Sequence, residues 1–413
     1  MAIHDCDNQP GLRPYLDARH EMLSRLEAIT DSDPVSLEQA LNRILADDIH
    51  SPLDVPSFAN SAMDGYALRA ADVTDEAALT LIGTSLAGHP FNGSIGPGEC
   101  VRIMTGAAMP LGADTVVMQE NCRSEHNIIY LQGPVTEGRH VRLPAEDLAQ
   151  GERVFAAGTR INARVLSVLS SLGLEQVYVR RQLTVALLST GDELKSPGEL
   201  LAPGDIYDSN RIGVSAMLKR LGIRVIDYGI IKDDPALIRQ AFIKAAKEAD
   251  ALITSGGVSV GDADYTKQVL EEVGRIGFWK LAIKPGKPFA FGHINDCPFF
   301  GLPGNPVSAA VTFHLLVRPA LAALAGETLK PTPLLQAKAL MPLKKSPGRM
   351  DFQRGMVSTQ ADGSLGVVAA GAQSSAVYSA MAEANCLLHL EQDRGNVAED
   401  EMVTLELIDG LYW

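Results

Sequence analysis

The segment Ser255-Gly256-Gly257-Val258-Ser259-Val260-Gly261-Asp262-Ala263-Asp264 concentrates residue types that handle phosphate and metal. The apolar run Ala251-Leu252-Ile253-Thr254 before it reads as a short buried strand. A glycine pair at the carboxyl end of a strand lets the backbone turn sharply and bring its N–H groups up to a ligand. The carboxylates of Asp262 and Asp264 follow at once, with Lys280, Lys284 and Lys287 a short way on. Amide donors, acids and lysines converging at a strand end predict a phosphorylated ligand held with a divalent metal. The loop is neither a Walker A sequence nor a Rossmann fingerprint, so kinase and dehydrogenase chemistry lose their main support. Read blandly, it is a glycine turn solvated by its acids.

Further candidates lie nearby. Lys280-Leu281-Ala282-Ile283-Lys284 alternates as a strand, which places both lysines on one face, about 13 Å apart. That spacing suits two anionic groups of one extended ligand, or simply a solvated strand face. Lys284-Pro285-Gly286-Lys287-Pro288 has its backbone shape fixed by proline, with two charged donors suited to oxyanions. Thr190-Gly191-Asp192-Glu193 and Asp233-Asp234-Pro235 each end a strand, at the edge where open α/β sheets bind ligands. Asp234 reads as a helix cap, leaving Asp233 for function. Glu193, Asp233, Asp262 and Asp264 then share one rim, an acidic set suited to magnesium. Asn60–Tyr66 and Arg102–Ala107 are explained by turn chemistry alone, and Arg349 reads as a surface arginine.

These residues need a scaffold. Strands over Leu183–Ser189, Val225–Ile231 and 251–254 alternate with helices over Arg211–Leu221, from Pro235, and over 265–274, the spacing of a parallel sheet covered on both faces. Asp208, Ser209 and Asn210 are cap candidates, and Gly222 ends its helix. A last helix enters through Pro303-Gly304-Asn305-Pro306 and runs to about Ala325. Upstream, residues 13–47 show helical spacing in two helices, the second beginning near Ser36, and a helical pattern returns over Ala163–Leu172. Between them, residues 64–145 read as a β-rich insertion, with strands at Leu79–Ile82, Glu99–Met104, Thr115–Gln119 and Asn127–Leu131. A proline-rich linker, 329–333, leads to a small all-β terminal domain.

At 413 residues several domains are expected, and a net charge of −14 argues against nucleic-acid or membrane-surface binding. Cys6, Cys100, Cys122, Cys297 and Cys386 show neither zinc spacing nor a disulfide framework. The amino terminus does not resemble a signal peptide, and no apolar run is expected to span a bilayer. A cytoplasmic location follows as the expectation.

Taken together, Asn60–Ala67, Arg102–Ala107, Ser189–Glu193, Ser255–Thr266, Lys284–Pro288, Gly301–Ser308 and Pro347–Gly355 resemble the molybdopterin molybdenumtransferases, the MoeA family to which the gephyrin E domain belongs. The resemblance runs in order through nearly the whole chain. It implies an α/β multidomain protein: a helical linker domain (1–54 and 145–181), an inserted β-rich domain (55–144), a MogA/MoaB-like α/β domain with a parallel-rich sheet (182–330) and a C-terminal β-barrel (331–413). It also implies a homodimer whose active sites combine the α/β domain of one subunit with the inserted domain of the other. The implied reaction takes adenylyl-molybdopterin and molybdate, inserts molybdenum at the dithiolene and releases AMP, with Mg2+ required. Asp64, Glu193, Asp233, Asp264, Lys280 and Lys284 take catalytic places, with Glu193, Asp233 and Asp264 on the metal. Thr105, Asp147, Ser255, Gly256, Gly257, Asp262, Pro303 and Pro306 bind substrate, and Lys287, Ser308, Arg349 and Ser375 receive molybdate. Further implied partners are the molybdopterin adenylyltransferase and molybdoenzyme-maturation proteins. The chain departs from the family at Gly371-Ala372-Gln373, where members often carry histidine or asparagine in place of Ala372. Two other functions fit less of the chain: ATP-dependent adenylylation of molybdopterin, and a non-catalytic clustering scaffold.

Overall fold

A computed structural model describes residues 12–74, 78–257, 265–278 and 280–408. The chain forms two compact units, one of Asp47–Ala157 with Ser167–Glu175, the other of Gly158–Leu166 and Gln176 onwards with the chain up to Ala46.

The larger unit holds a six-stranded sheet in the order Arg224–Ile231, Thr184–Thr190, Ala251–Ser255, Cys297–Leu302, Ala290–Ile294, Arg275–Phe278. The first four strands are parallel, and the last two add antiparallel, which the sequence pattern did not show. Alternation along the central strands sends Val185, Leu187 and Ile253 to one face, against Val214, Leu218 and Val307. Ala186, Leu188 and Leu252 face the other way, against Ile238, Phe242 and Val269. The helices begin where their caps predict. Asp208 accepts from Arg211 N before Ser209–Arg220, and Asp234 accepts from Ala236 N and Leu237 N before Pro235–Glu248.

The helix Pro306–Leu324 is long and apolar enough to cross a membrane by length and composition alone, with His314 and Arg318 interrupting its apolar run. Its most apolar window is 89% buried inside the protein, so the fold already occupies that surface. A wider π-turn spans Phe313–Val317, just before Pro319. Proline has no N–H to give the carbonyl four residues back, and the Tyr15 hydroxyl lies 3.5 Å from that Leu315 oxygen.

The second helix expected within 13–47 does not form. Tyr15–Ser24 is helical, but Ser32–Ser36 is a strand paired with Gln176–Arg180, and Leu37–Gln39 is a single 3-10 turn. Asn42 adopts φ 64°, and the amides of Asn42, Leu45 and Ala46 donate to Ile161, Thr159 and Tyr178. Long-range partners take the donors a helix would need, while Ala40, Ile44 and Leu45 are buried all the same.

Beyond residue 330 a barrel closes. Met350–Thr359 pairs with Leu365–Ala369, which pairs with Leu335–Ala339, then Met402–Leu407, then Cys386–Leu390, and so back to the first. Ile283–Lys284 adds alongside Met350–Asp351, tying the lysine loop to the barrel. This two-residue strand is all that forms of the expected strand Lys280–Lys284. Leu281, Ala282 and Ile283 are all buried, so the two-faced alternation is lost.

Glu406 in the barrel meets His314 at 2.8 Å and His389 at 3.4 Å, and is only 5% exposed. Burial alone would raise its pKa, but the two imidazoles outweigh that and hold it at about 2. Its folded value lies below an unfolded value of about 4.3, so its contribution is present above that pH and lost as pH falls towards 2. Glu406→Gln should therefore lower the unfolding free energy at pH 7, by roughly 3 kcal/mol at most. The gap to the parent protein should shrink on acidification to about pH 3. A gap equal at both pH values would show that this carboxylate is not the source.

The smaller unit is built on a six-stranded sheet, Thr115–Met118, Gly65–Leu68, Glu99–Ile103, Ala78–Ser85, Ile128–Leu131, Cys122–Glu125; the expected strands form, and Gly65–Leu68 and Cys122–Glu125 join them unannounced by the sequence pattern. Tyr66, Leu68 and Cys100 pack on one face, Ala67, Val101 and Ile103 on the other. Cys100, Cys122, Cys297 and Cys386 are free thiols.

Candidate active site

The carboxyl ends of the parallel strands build the first part of the site. Ser255 ends its strand with its hydroxyl accepting from Asn210 Nδ2 at 2.8 Å, and the same amide donates to Gly304 O at 2.7 Å. Gly256 and Gly257 follow at φ 84° and 65°. A Cβ on Gly256 would lie 2.6 Å from Thr190 O, and one on Gly257 would lie 2.1 Å from Thr266 Oγ1 and 2.5 Å from Thr190 Oγ1. Both conformation and space therefore demand glycine. The hydroxyls of Thr190 and Thr266 are buried with no hydrogen-bond partner among the described residues. Asp262 and Asp264 lie outside the described residues.

Beside this turn, Asp192, Glu193 and Asp233 gather. Asp233 N donates to Asp192 Oδ1 at 3.3 Å. Burial raises the pKa of Asp233, and the charges of Asp192 and Glu193 push it further. That crowding is the environment a divalent cation relieves. Among the described residues no three His, Cys, Asp or Glu side chains reach metal-binding geometry. Glu193 and Asp233 supply two oxygen donors of the right chemistry, and any third must come from elsewhere.

The lysine loop meets the barrel. Lys284 Nζ, half-exposed, sits 3.5 Å from the buried carboxylate of Asp351. Lys284, Asp351, Arg349 and Ser346 line a cavity of about 40 Å3. Two expected residues, Lys284 and Arg349, are thus brought together. Asp351 and the buried Lys345 were not singled out in the sequence. Lys345 Nζ donates to Ser346 O and Arg349 O at 2.9 Å and to Gln392 O at 3.2 Å, fixing the loop that carries Arg349. The carboxylate directly after Arg349-Met350 was the available signal for Asp351. Gly286, at φ 108°, leaves room for Thr312, whose methyl would lie 2.4 Å from an added Cβ. Lys280 and Lys287 flank this loop half-buried, Ser308 is buried in the first turns of its helix, and Pro303 and Pro306 border that helix's entry.

Ser375 is half-buried in a loop held by the fully buried Arg354, whose Nη2 donates to Ala372 O at 2.5 Å and Ser374 O at 3.2 Å. Gln373 accepts from Arg354 N and donates to Arg354 O and Ala370 O. Backbone atoms at position 372 thus do the anchoring, and alanine keeps them.

In the smaller unit Asp64 and Thr105 meet: Asp64 Oδ1 accepts from Thr105 N at 2.7 Å and from Thr105 Oγ1 at 2.8 Å. These two bonds, backbone first, hold the Asp64 carboxyl below its usual range. Gly65 is forced by strand contact, since a Cβ would lie 2.0 Å from Val117 O. Asp147 is exposed, its amide donating to Val55 O. Thr105→Val should raise the Asp64 titration midpoint towards the ordinary carboxylate value, followed by carboxyl-carbon NMR. An unmoved midpoint would mean the hydroxyl contributes nothing.

Residues 13–173 match the MoeA N-terminal region (domain I and II), 186–323 a probable molybdopterin binding domain, and 336–408 the MoeA C-terminal region (domain IV). A molybdopterin molybdenumtransferase of Haemophilus influenzae is 47% identical, over 94% of this chain and 97% of that protein. The chain belongs to the molybdopterin molybdenumtransferase family. A second molybdopterin molybdenumtransferase, from a Nostoc species, is 38% identical over 78% of this chain and 76% of its own. A molybdopterin biosynthesis MoeA protein of Pyrococcus horikoshii superposes with a TM-score of 0.82 at 29% identity, covering 96% of this chain and all of that one. Membership makes the chain an enzyme of the molybdenumtransferase type.

Proposed function

We propose that the protein inserts molybdenum from molybdate into adenylyl-molybdopterin, cleaving the adenylate and releasing AMP. Family membership supports the transfer, and the meeting of Lys284 and Arg349 around one small cavity carries the finer reading. A single water needs roughly 10–15 Å3 on the same measure, so about 40 Å3 suits one small oxyanion. Cations placed there offer the oxyanion charge-assisted hydrogen bonds. Lys280, Lys287, Ser308 and Ser375 complete the proposed set of phosphate and molybdate contacts.

The phosphoanhydride region belongs in this reading to the strand-end turn. The amide of Gly257 and the hydroxyls of Thr190 and Thr266, which have no partner among the described residues, offer hydrogen bonds to phosphate oxygens, while the Gly256 amide is held by Leu302 O. Glu193 and Asp233, with Asp264, would hold Mg2+, which when bound supplies charge neutralisation for the departing phosphate. Asp262, Pro303, Pro306, Thr105 and Asp147 take substrate-contacting places, and Asp64 acts as a carboxylate that its two bonds from Thr105 hold in place.

Purified protein supplied with adenylyl-molybdopterin, molybdate and Mg2+ should release AMP in step with molybdenum incorporation. Pyrophosphate formed from ATP and unadenylylated molybdopterin, without AMP release from the adenylate, would replace this reading with the adenylyltransferase one. We further propose a homodimer. Mixing inactive Asp64→Ala and Lys284→Ala chains should restore part of the activity if each site draws on two copies, whereas a mixture that stays inactive removes the shared site.

A further inference from the structure

We propose that the protein carries a second anion-binding pocket, at the amino ends of the parallel strands, that takes a small organic phosphate with two or more negative charges. A cavity of about 420 Å3 opens there, where Leu183 and Ile223 lead into the strands Thr184–Thr190 and Arg224–Ile231. Ser255 and Leu302 sit at the opposite end of the same sheet, so this cavity shares no residue with the site described above.

Its charge is lopsided. Arg43, Arg160, Arg180, Arg181, Arg220 and Arg318 line it, against one carboxylate, Glu327. Some of this charge is accounted for. Arg160 pairs with Glu327 at 2.6 Å and donates to Asn42 O and Leu221 O, closing the end of a helix. Arg181 chelates Asp250 at 2.7 and 3.0 Å, with Asp31 at 3.6 Å. Arg220 too has a partner, and the charge of Asp33 acts on Arg43 from beyond ion-pair distance. Among the described residues Arg43, Arg180 and Arg318 have no carboxylate within ion-pair distance. Arg43 donates to Arg180 O, and Arg180 Nη1 to Thr30 O. Arg180 Nε is buried with no acceptor among the described residues, and Arg318 gives its backbone N–H to Phe313 O, its guanidinium meeting no carboxylate among them.

A chain of net charge −14 gains nothing in its overall field from such a cluster. Half-buried guanidinium groups gathered on one cavity repel one another and leave donors unmatched unless an anion joins them. Phosphate matches the planar fork of arginine, and several such forks require several charged oxygens. Ile44, Leu183, Leu321 and Ala322 supply apolar wall, so the ligand has an uncharged organic part. The volume falls in the usual range for small-molecule sites, about 300–1,000 Å3.

Equilibrium dialysis with pyrophosphate and with ADP tests the proposal on the intact protein and on Lys284→Ala, Arg318→Met and Arg318→Lys. Lys284→Ala isolates this pocket from the phosphate-binding loop. We expect one molecule of ADP per chain to remain bound in Lys284→Ala, more tightly than pyrophosphate. Arg318→Met should weaken that binding about ten- to a hundredfold, and Arg318→Lys by less. AMP release should stay normal in Arg318→Met, which separates this pocket from the proposed function. The proposal falls if no ADP binding survives Lys284→Ala at about 1 mM ligand. It also falls if Arg318→Met and Arg318→Lys bind ADP as the parent does. Pyrophosphate binding as tightly as ADP would remove the organic part of the assignment. A change in solution mass without a change in anion affinity would reassign the arginines to contact between chains.

Discussion

Lys284→Ala is expected to slow AMP release by about 10²–10³-fold, the range seen when one preorganised donor is taken from a transition state. The lysine is half-exposed, so its loss removes little packing. Asp351 keeps a hydrogen bond from Gln353 Nε2 at 3.0 Å, and stability should stay within about 1 kcal/mol of the parent. The effect belongs in kcat more than KM if the ammonium acts on charge that develops as the anhydride breaks. Single-turnover AMP release and a chemical denaturation curve, run on the same preparation, check both halves. Unchanged turnover would take Lys284 out of the chemistry.

Gly257→Ala carries the second large effect, by a different route. The methyl would lie 2.1 Å from Thr266 Oγ1, and the backbone holds φ 65°. Relief requires moving the start of the helix Tyr265–Val273 or abandoning the left-handed conformation, a cost of roughly 1–3 kcal/mol. Both routes displace the turn that is proposed to present the Gly257 amide to phosphate. Activity should fall at least as far as in Lys284→Ala, with stability now falling as well. Full activity at parental stability would show that the turn tolerates a side chain and holds no ligand closely. Gly173 makes a useful control, since its φ of 71° is similar but nothing lies within 4 Å of an added Cβ.

Much of this architecture could be read from residue order because local signals and tertiary structure agree in the α/β domain. Asp208, Asp234 and Pro235 cap the helices they announce, and buried apolar runs become the central parallel strands. Agreement fails in two kinds of place. Between Ser36 and Ala46 the apolar spacing is helical, yet backbone donors are claimed by residues more than a hundred positions later, which no local pattern encodes. Around Lys284 the alternation suggested a long strand, but a short bridge to the barrel replaced it.

Site residues followed the same division. Ser255, Gly256 and Gly257 are legible because a glycine pair after a buried strand has few other uses. Asp64 and Thr105 looked like ordinary turn residues, and their purpose emerges only when two loops forty residues apart share a carboxylate. Arg354 and Lys345 were invisible as site residues, since each works by holding carbonyl oxygens of a neighbouring loop. The arginine pocket escaped notice because its members come from five separated stretches of chain.

The strand pairing of Ile283–Lys284 with Met350–Asp351 also sets a timetable for the ribosome. Every strand of the α/β sheet is synthesised before the segment that steadies Lys284. Domains fold as they emerge, N-terminal first. The nascent enzyme therefore passes through an interval with its sheet assembled and its lysine uncaged. Under the proposed function, a chain released before Asp351 would carry the sheet without the carboxylate that steadies Lys284.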